Sequence, residues 1–173
     1  DLMLLLARTS PRADMKKRHH GMSVFLVDMI DGIGNGLTIR PIRTMINHAT
    51  TEVYFDDLMV PASNLIGEEG KGFHYILDSM NAERILISSE CIGDARWFIE
   101  KAANYARDRE VFGRPIGQNQ GIQFPIARAY AQMEAAALMT QNAAAMFDAE
   151  EPCGSEANMS KMLASEAAWA AAE

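Results

Sequence analysis

The sequence predicts an α+β chain in which antiparallel strands come first and long helices follow. Two observations carry this expectation. Up to about Gly67, short β-branched or aromatic runs are separated by turn residues. Beyond Gly72 such runs stop, and apolar residues recur at three- and four-residue spacing. A β-rich block followed by a helical block is the order of an α+β fold.

The strand-like runs are LMLLLA from Leu2, MSVFLVD from Met22, LTIRPIR from Leu37 and TEVYFDD from Thr51. Gly32, Gly34, Asn35 and Gly36 supply a turn between the second and third. Three or four short strands at this spacing predict an antiparallel sheet. Pro41 has no N–H to donate, so its strand belongs at an edge or a bulge. The segment GEEGKG from Gly67 precedes a helix as a phosphate loop does, but it lacks that loop's pattern and places Glu68 and Glu69 where phosphate would sit. It reads as a turn.

From Phe73 onward Leu77, Met80, Ile87, Cys91, Ala95, Phe98, Ala102 and Tyr105 trace one side of a helix of about nine turns. Ile76, Ile85, Leu86, Ile92 and Ile99 lie on its other sides, which predicts several neighbours in a bundle or an oligomer. A break follows at YARDREVFGRPIGQNQ. A second helix is expected over about Gln120–Ala149, with Pro125 tolerable only near the first turn. Glu151, Pro152 and Gly154 end it. A third begins near Ser155, whose hydroxyl can cap it, and runs through Met162 and Trp169. Asp1 falls directly inside a strand-like run, and SEAAWAAAE stops without a terminating Gly, Asn or Pro, so the chain reads as part of a longer protein.

Composition narrows the function. A hydrophobic share of 49% and a charged share of 23% describe a chain able to bury a core. A net charge of −7 argues against nucleic acid as a partner. The longest N-terminal apolar run is far short of the roughly twenty residues that a membrane span needs, and no basic segment precedes it as in a signal peptide. Cys91 and Cys153 lack metal or redox spacing and read as reduced thiols. His19 and His20 follow Lys16, Lys17 and Arg18 in a basic loop that reads as solvated surface.

Two places stand out chemically. Arg84 occupies a slot of the helical stripe between Met80 and Ile87, where a guanidinium either snorkels to water or meets acceptors. Glu83 precedes it; such a residue is usually a solvated carboxylate, and in a cleft it can act as a base. The second place is the break, where Arg109 stands at fixed offsets from Phe112, Gly113, Pro115 and Gln120. Arg109 can serve as a cation at a helix C-terminus, and Gly113 and Pro115 as turn formers.

Arg-x-x-Phe-Gly-x-Pro followed by Gln, with Glu83 and Arg84 one helix earlier in LDSMNAERILIS, resembles the signature of acyl-CoA dehydrogenases. The resemblance covers the whole chain. It implies residues 1–68 as the end of a central β-domain, and 69–173 as the first helices of an up-and-down four-helix bundle. It further implies an FAD-dependent enzyme that desaturates an acyl-CoA to a trans-2-enoyl-CoA. In isovaleryl-CoA and long-chain acyl-CoA dehydrogenases the residue in the Glu83 position is the base that takes the α-proton, while most members carry the base on a later loop. Asn81 and Arg84 then contact substrate. By the same resemblance Arg109 reaches the FAD pyrophosphate held mainly by a neighbouring subunit, with Phe112, Asn119 and Gln120 at the adenosine end. Val111 stands where many relatives have Thr or Ser, removing one hydroxyl contact to the cofactor. Thr50 and Thr51 stand where relatives often have small hydroxyl residues near flavin or CoA, and strand propensity explains them equally well.

The implied partners are acyl-CoA, electron-transfer flavoprotein and further copies of the chain, as dimer or tetramer. The implied location is bacterial cytoplasm or mitochondrial matrix. An acyl-CoA oxidase or related flavin monooxygenase, and a non-catalytic helical scaffold, are the competing readings.

Overall fold

In the computed structural model, residues 1–12, 16–45 and 50–173 are described. The chain packs as two compact units, Asp1–Leu77 and Asp78–Glu173. The expected α+β class holds: antiparallel strands precede long helices.

In the first unit β1 (Leu2–Arg8) pairs antiparallel with β2 (Met22–Asp28), from Leu2 opposite Asp28 to Arg8 opposite Met22. The other edge of β2 takes the short β5 (Leu65–Ile66), with Val24 opposite Ile66. A separate ladder joins β3 (Leu37–Pro41) to β4 (Thr51–Phe55), Pro41 facing Thr51. The single sheet expected from the strand spacing is therefore two. The break is local: the Asp28 carboxylate accepts the N–H groups of Ile30 and Asp31 and caps a one-turn helix, α1 (Met29–Gly32), which carries the chain off β2.

Val24, Val27 and Leu37 are buried, and the fully buried Ser23 hydroxyl is held by Thr9 Oγ1 and the Gly70 N–H, each at 2.8 Å. Gly72 opens the next helix directly over β2; a Cβ there would lie 2.6 Å from the Ser23 carbonyl carbon, so glycine permits the approach. GEEGKG is a turn, with Gly67 and Gly70 at positive φ and Lys71 paired to Glu68 at 2.7 Å. In the basic loop Lys16, Lys17 and Arg18 are exposed as expected, and His19 and His20 are half-buried. The Arg8 guanidinium donates to the carbonyls of Arg18 and His20, and the half-buried His19 ring stacks on Phe73 at 4.9 Å. Burial first, then His20, Lys17 and His74, hold the His19 pKa below its ordinary value. Among the described residues no group of three His, Cys, Asp or Glu side chains is arranged to hold a metal.

Helix α2 (Gly72–Asp108) runs for 37 residues, followed by α3 (Gln120–Asp148) and α4 (Gly154–Ala172). The core of the second unit is Ile92, Ala95, Met133, Ala136, Ala137, Ala164 and Ala167. Small side chains let the backbones of α3 and α4 approach closely, while α2 meets them through side chains; each buried methyl adds roughly 0.8 kcal/mol. The expected α2 stripe holds in part: Ala95 is buried and Cys91, Phe98 and Ala102 are half-buried, whereas Leu77, Met80, Ile87 and Tyr105 are exposed, and Ser88, Ile92 and Ala106 are buried outside the stripe. Apolar residues occur on every side of α2, so spacing alone leaves part of its buried face open.

Two end signals also differ. Pro125 lies in the second turn of α3, where its missing N–H leaves the Gly121 carbonyl without its i+4 donor. Helix α4 starts at Gly154 with Cys153 as N-cap, so Ser155 is inside the helix and does not cap it. Ahead of it, α3 closes with Glu151 N–H on Met146 O and Glu150 N–H on Phe147 O, a Schellman ending whose left-handed position (φ 57°) is Glu150. A side chain costs about 1 kcal/mol or more there. Glu150→Gly is accordingly expected to stabilise the protein by roughly 0.5–1 kcal/mol, read as a rise of a few degrees in Tm. Among the described residues no helix is long and apolar enough to cross a membrane.

Candidate functional site

The sequence-selected residues fall into two clusters, one on an interior turn of α2 and one just beyond its C-terminal end. The first is the turn from Asn81 to Ser88. Arg84 is half-buried and its Nη1 donates to Asn81 Oδ1 at 3.1 Å, which joins the two residues expected to contact substrate. Its backbone carbonyl accepts the Ser88 hydroxyl at 2.7 Å. Glu83, one residue away and thus about 100° around the helix, is exposed, and its side chain has no hydrogen bond or ion pair among the described residues. A helical pitch therefore gives Glu83 and Arg84 different directions: the guanidinium is tied to its own helix and the carboxylate is free.

Asn81 also borders a cavity of about 720 Å³ lined by Asp78, Asp148, Glu150 and Glu151. Four carboxylates repel phosphates, so that cavity does not suit the nucleotide end of a CoA ester.

The second cluster is built where α2 stops. Arg109 N–H bonds Tyr105 O at 2.8 Å, and Arg109 O takes the Ile116 N–H at 2.9 Å, closing a hairpin of β6 (Glu110–Val111) and β7 (Arg114–Pro115). Its two-residue tip is Phe112 (φ 54°) and Gly113 (φ 74°), both positive as a type I′ turn requires. Glycine suits this conformation; Phe112 adopts it at a cost of about 1–2 kcal/mol. The strained residue displays its whole ring, 101% exposed. Gly117 then passes over the end of α2, where a Cβ would lie 2.8 Å from Ala106 O.

Asn119 starts α3 through its backbone, accepting from Ile122 and Gln123, while its side chain bridges Arg114 Nη2 (2.7 Å) and Ile116 O (3.0 Å). Arg109, Val111 and Gln120 are exposed on the same hairpin and helix start, and the Arg109 guanidinium has no partner among the described residues. Arg114, a second cation inside the same Arg-x-x-Phe-Gly-x-Pro run that the sequence reading did not single out, holds the Asn119 side chain at the start of α3. A free planar fork, a displayed aromatic ring and an exposed amide suit a dinucleotide, its phosphates on the guanidinium and its base against the ring.

From Glu83 to Asp108 the helix rises about 38 Å. No one small ligand of this chain touches both clusters.

An α+β chain thus carries a free carboxylate on one long helix and a cationic hairpin at that helix's end. Residues 70–173 match the family model for the C-terminal domain of acyl-CoA dehydrogenases. The chain belongs to the acyl-CoA dehydrogenase family. It is 38% identical over 99% of its length to an acyl-CoA dehydrogenase of Bacillus subtilis (strain 168), of which it covers 44%. It is 35% identical to the caffeyl-CoA reductase-Etf complex subunit CarC of Acetobacterium woodii, over 90% of this chain and 41% of that protein. The structure of butyryl-CoA dehydrogenase from Megasphaera elsdenii superposes with a TM-score of 0.84 at 30% identity, over 96% of this chain and 43% of that one. The chain thus spans less than half the length of these relatives.

Proposed function

We propose that the protein containing this chain is an FAD-dependent dehydrogenase that converts an acyl-CoA thioester to the trans-2-enoyl-CoA, with Glu83 as its base. The observation that carries the reading is the Asn81–Glu83–Arg84 turn: a carboxylate with no partner of its own beside a guanidinium already fixed by a hydrogen bond. Glu83 takes the α-proton of the thioester, while Asn81 and Arg84, joined on a different face of the same turn, contact another part of the substrate. A thioester α-hydrogen is weakly acidic, so the reaction needs hydrogen bonds to the carbonyl and a base freed of water once substrate covers it. Bound FAD supplies the acceptor for the β-hydrogen, which leaves with both electrons of its C–H bond as the double bond forms.

Arg109, Phe112, Asn119 and Gln120 hold the phosphate and adenosine parts of that cofactor, with Val111 beside them. The separation of the two clusters supports a cofactor shared between copies of the chain, Arg109 of one copy serving the Glu83 of another. Electron-transfer flavoprotein is the proposed electron acceptor, a reading supported by the Etf-complex relative.

The test is anaerobic titration of the full-length flavoprotein with a panel of acyl-CoA thioesters. Bleaching of the flavin by at least one thioester is the expected result. Flavin that stays oxidised across the panel would reject the proposal. Peroxide formation in place of electron-transfer-flavoprotein reduction, measured after bleaching, identifies an oxidase.

A further inference from the structure

We propose that Ser88, held against Ser160 of α4, is a positioning residue for the turn of α2 that carries Glu83 and Arg84; this rests on the function proposed above. Both serines are 0% exposed and sit beside a core made mostly of alanine. Alanine at either position would pack equally well, favour helix more and bury no hydroxyl. Packing alone therefore gives no reason for two serines.

What the hydroxyls add is directional. Ser88 donates to Arg84 O at 2.7 Å, Ser160 donates to Ala157 O at 3.0 Å, and the two oxygens meet at 3.2 Å. Two protons serve three contacts, so the tie between the serines forms by one hydroxyl sharing its proton between its own helix carbonyl and the other serine, which accounts for a separation longer than the usual 2.7–2.8 Å or so. The Ser88 bond loads the Arg84 carbonyl with a second donor, a contact that bends helices at the turn where it occurs. Ser160 anchors that turn to α4. On the far side Asn81 takes the Arg84 guanidinium at 3.1 Å. The turn bearing Glu83 is thus held at both ends, by a side-chain bond at Asn81 and by a buried tie to another helix at Ser88. Neither serine faces a ligand; both act through the backbone of Arg84.

Ser88→Ala in the full-length flavoprotein tests this with two readouts. Amide hydrogen exchange over residues 81–88 is expected to quicken about tenfold, because the segment loses its cross-helix tie. The rate of flavin bleaching at saturating thioester is expected to fall about tenfold with KM changed less, since the base is displaced and not removed. FAD content and Tm stay near wild type. Ser160→Ala, which leaves the Ser88–Arg84 bond, gives a smaller effect, and the double variant matches Ser88→Ala because the two act as one unit.

Unchanged exchange, an unchanged bleaching rate, or a rate loss matched by loss of Tm and FAD would each overturn the proposal. A wild-type protein that no thioester bleaches would instead reject the function proposed above, and the exchange measurement would still decide whether the turn is pinned.

Discussion

Glu83→Gln in the full-length flavoprotein is expected to slow thioester-driven flavin reduction by about 10²- to 10⁴-fold, the usual contribution of a positioned general base. The substitution is nearly isosteric and keeps hydrogen-bonding capacity, but an amide does not take a proton from carbon. The side chain is exposed and has no partner among the described residues, so its replacement leaves helix packing intact. Tm, FAD content and affinity for a non-reducing thioester analogue should therefore stay within error of wild type. Stopped-flow bleaching at saturating substrate separates the step from binding. A rate within threefold of wild type would move the base to another part of the protein while leaving the family membership untouched. An equal loss of analogue binding would make Glu83 a binding residue.

That variant also shows where sequence reasoning reaches and where it stops. Glu83 and Arg84 were selected as adjacent residues in one motif, but helical geometry turns them about 100° apart. The helix ties the guanidinium to Asn81 and leaves the carboxylate free, a difference that adjacency in the motif does not carry. The strands from Met22, Leu37 and Thr51 were legible because alternating β-branched runs and glycine turns are local signals. Their division into two ladders was not, because pairing is decided by a one-turn helix capped by Asp28, a signal of two hydrogen bonds.

The long helices are legible in extent, and the face of α2 only in part. Ala95 lies on the expected stripe and is buried, but Leu77, Met80 and Tyr105 carry the hydrophobic signal and lie exposed, while the small Ser88 and Ala106, which carry little, are buried. Ser155 was read as a cap from its residue type, but Cys153 takes that place after a helix ending set by backbone geometry at Glu150. The motif at Arg109–Gln120 was visible as spacing. Its meaning as a strained hairpin presenting Phe112 depends on two positive φ angles that no residue name except Gly113 announces.

Arg109→Ala is expected to weaken FAD binding by about 10- to 100-fold, the loss of one charge-assisted bond to a phosphate. The Arg109 guanidinium has no partner among the described residues, so helical circular dichroism and apoprotein Tm should not change. Arg109→Lys keeps the charge but not the planar fork, and should fall between the two. Retained flavin after dialysis, measured by absorbance, checks the series, and full retention by Arg109→Ala would remove this residue from the cofactor site.

The same variant tests the sharing of sites between copies. Because α2 separates Glu83 from its end by about 38 Å, an Arg109 that serves FAD beside Glu83 must serve the Glu83 of another copy. Co-expressing Arg109→Ala chains with Glu83→Gln chains, assayed without added FAD, then gives activity above the sum of the two parents. In a randomly mixed two-fold assembly about a quarter of the sites pair an intact Glu83 with an intact Arg109. Mixed oligomers no more active than the sum of the two parents would place both residues in one chain's site, contrary to the length of the helix between them.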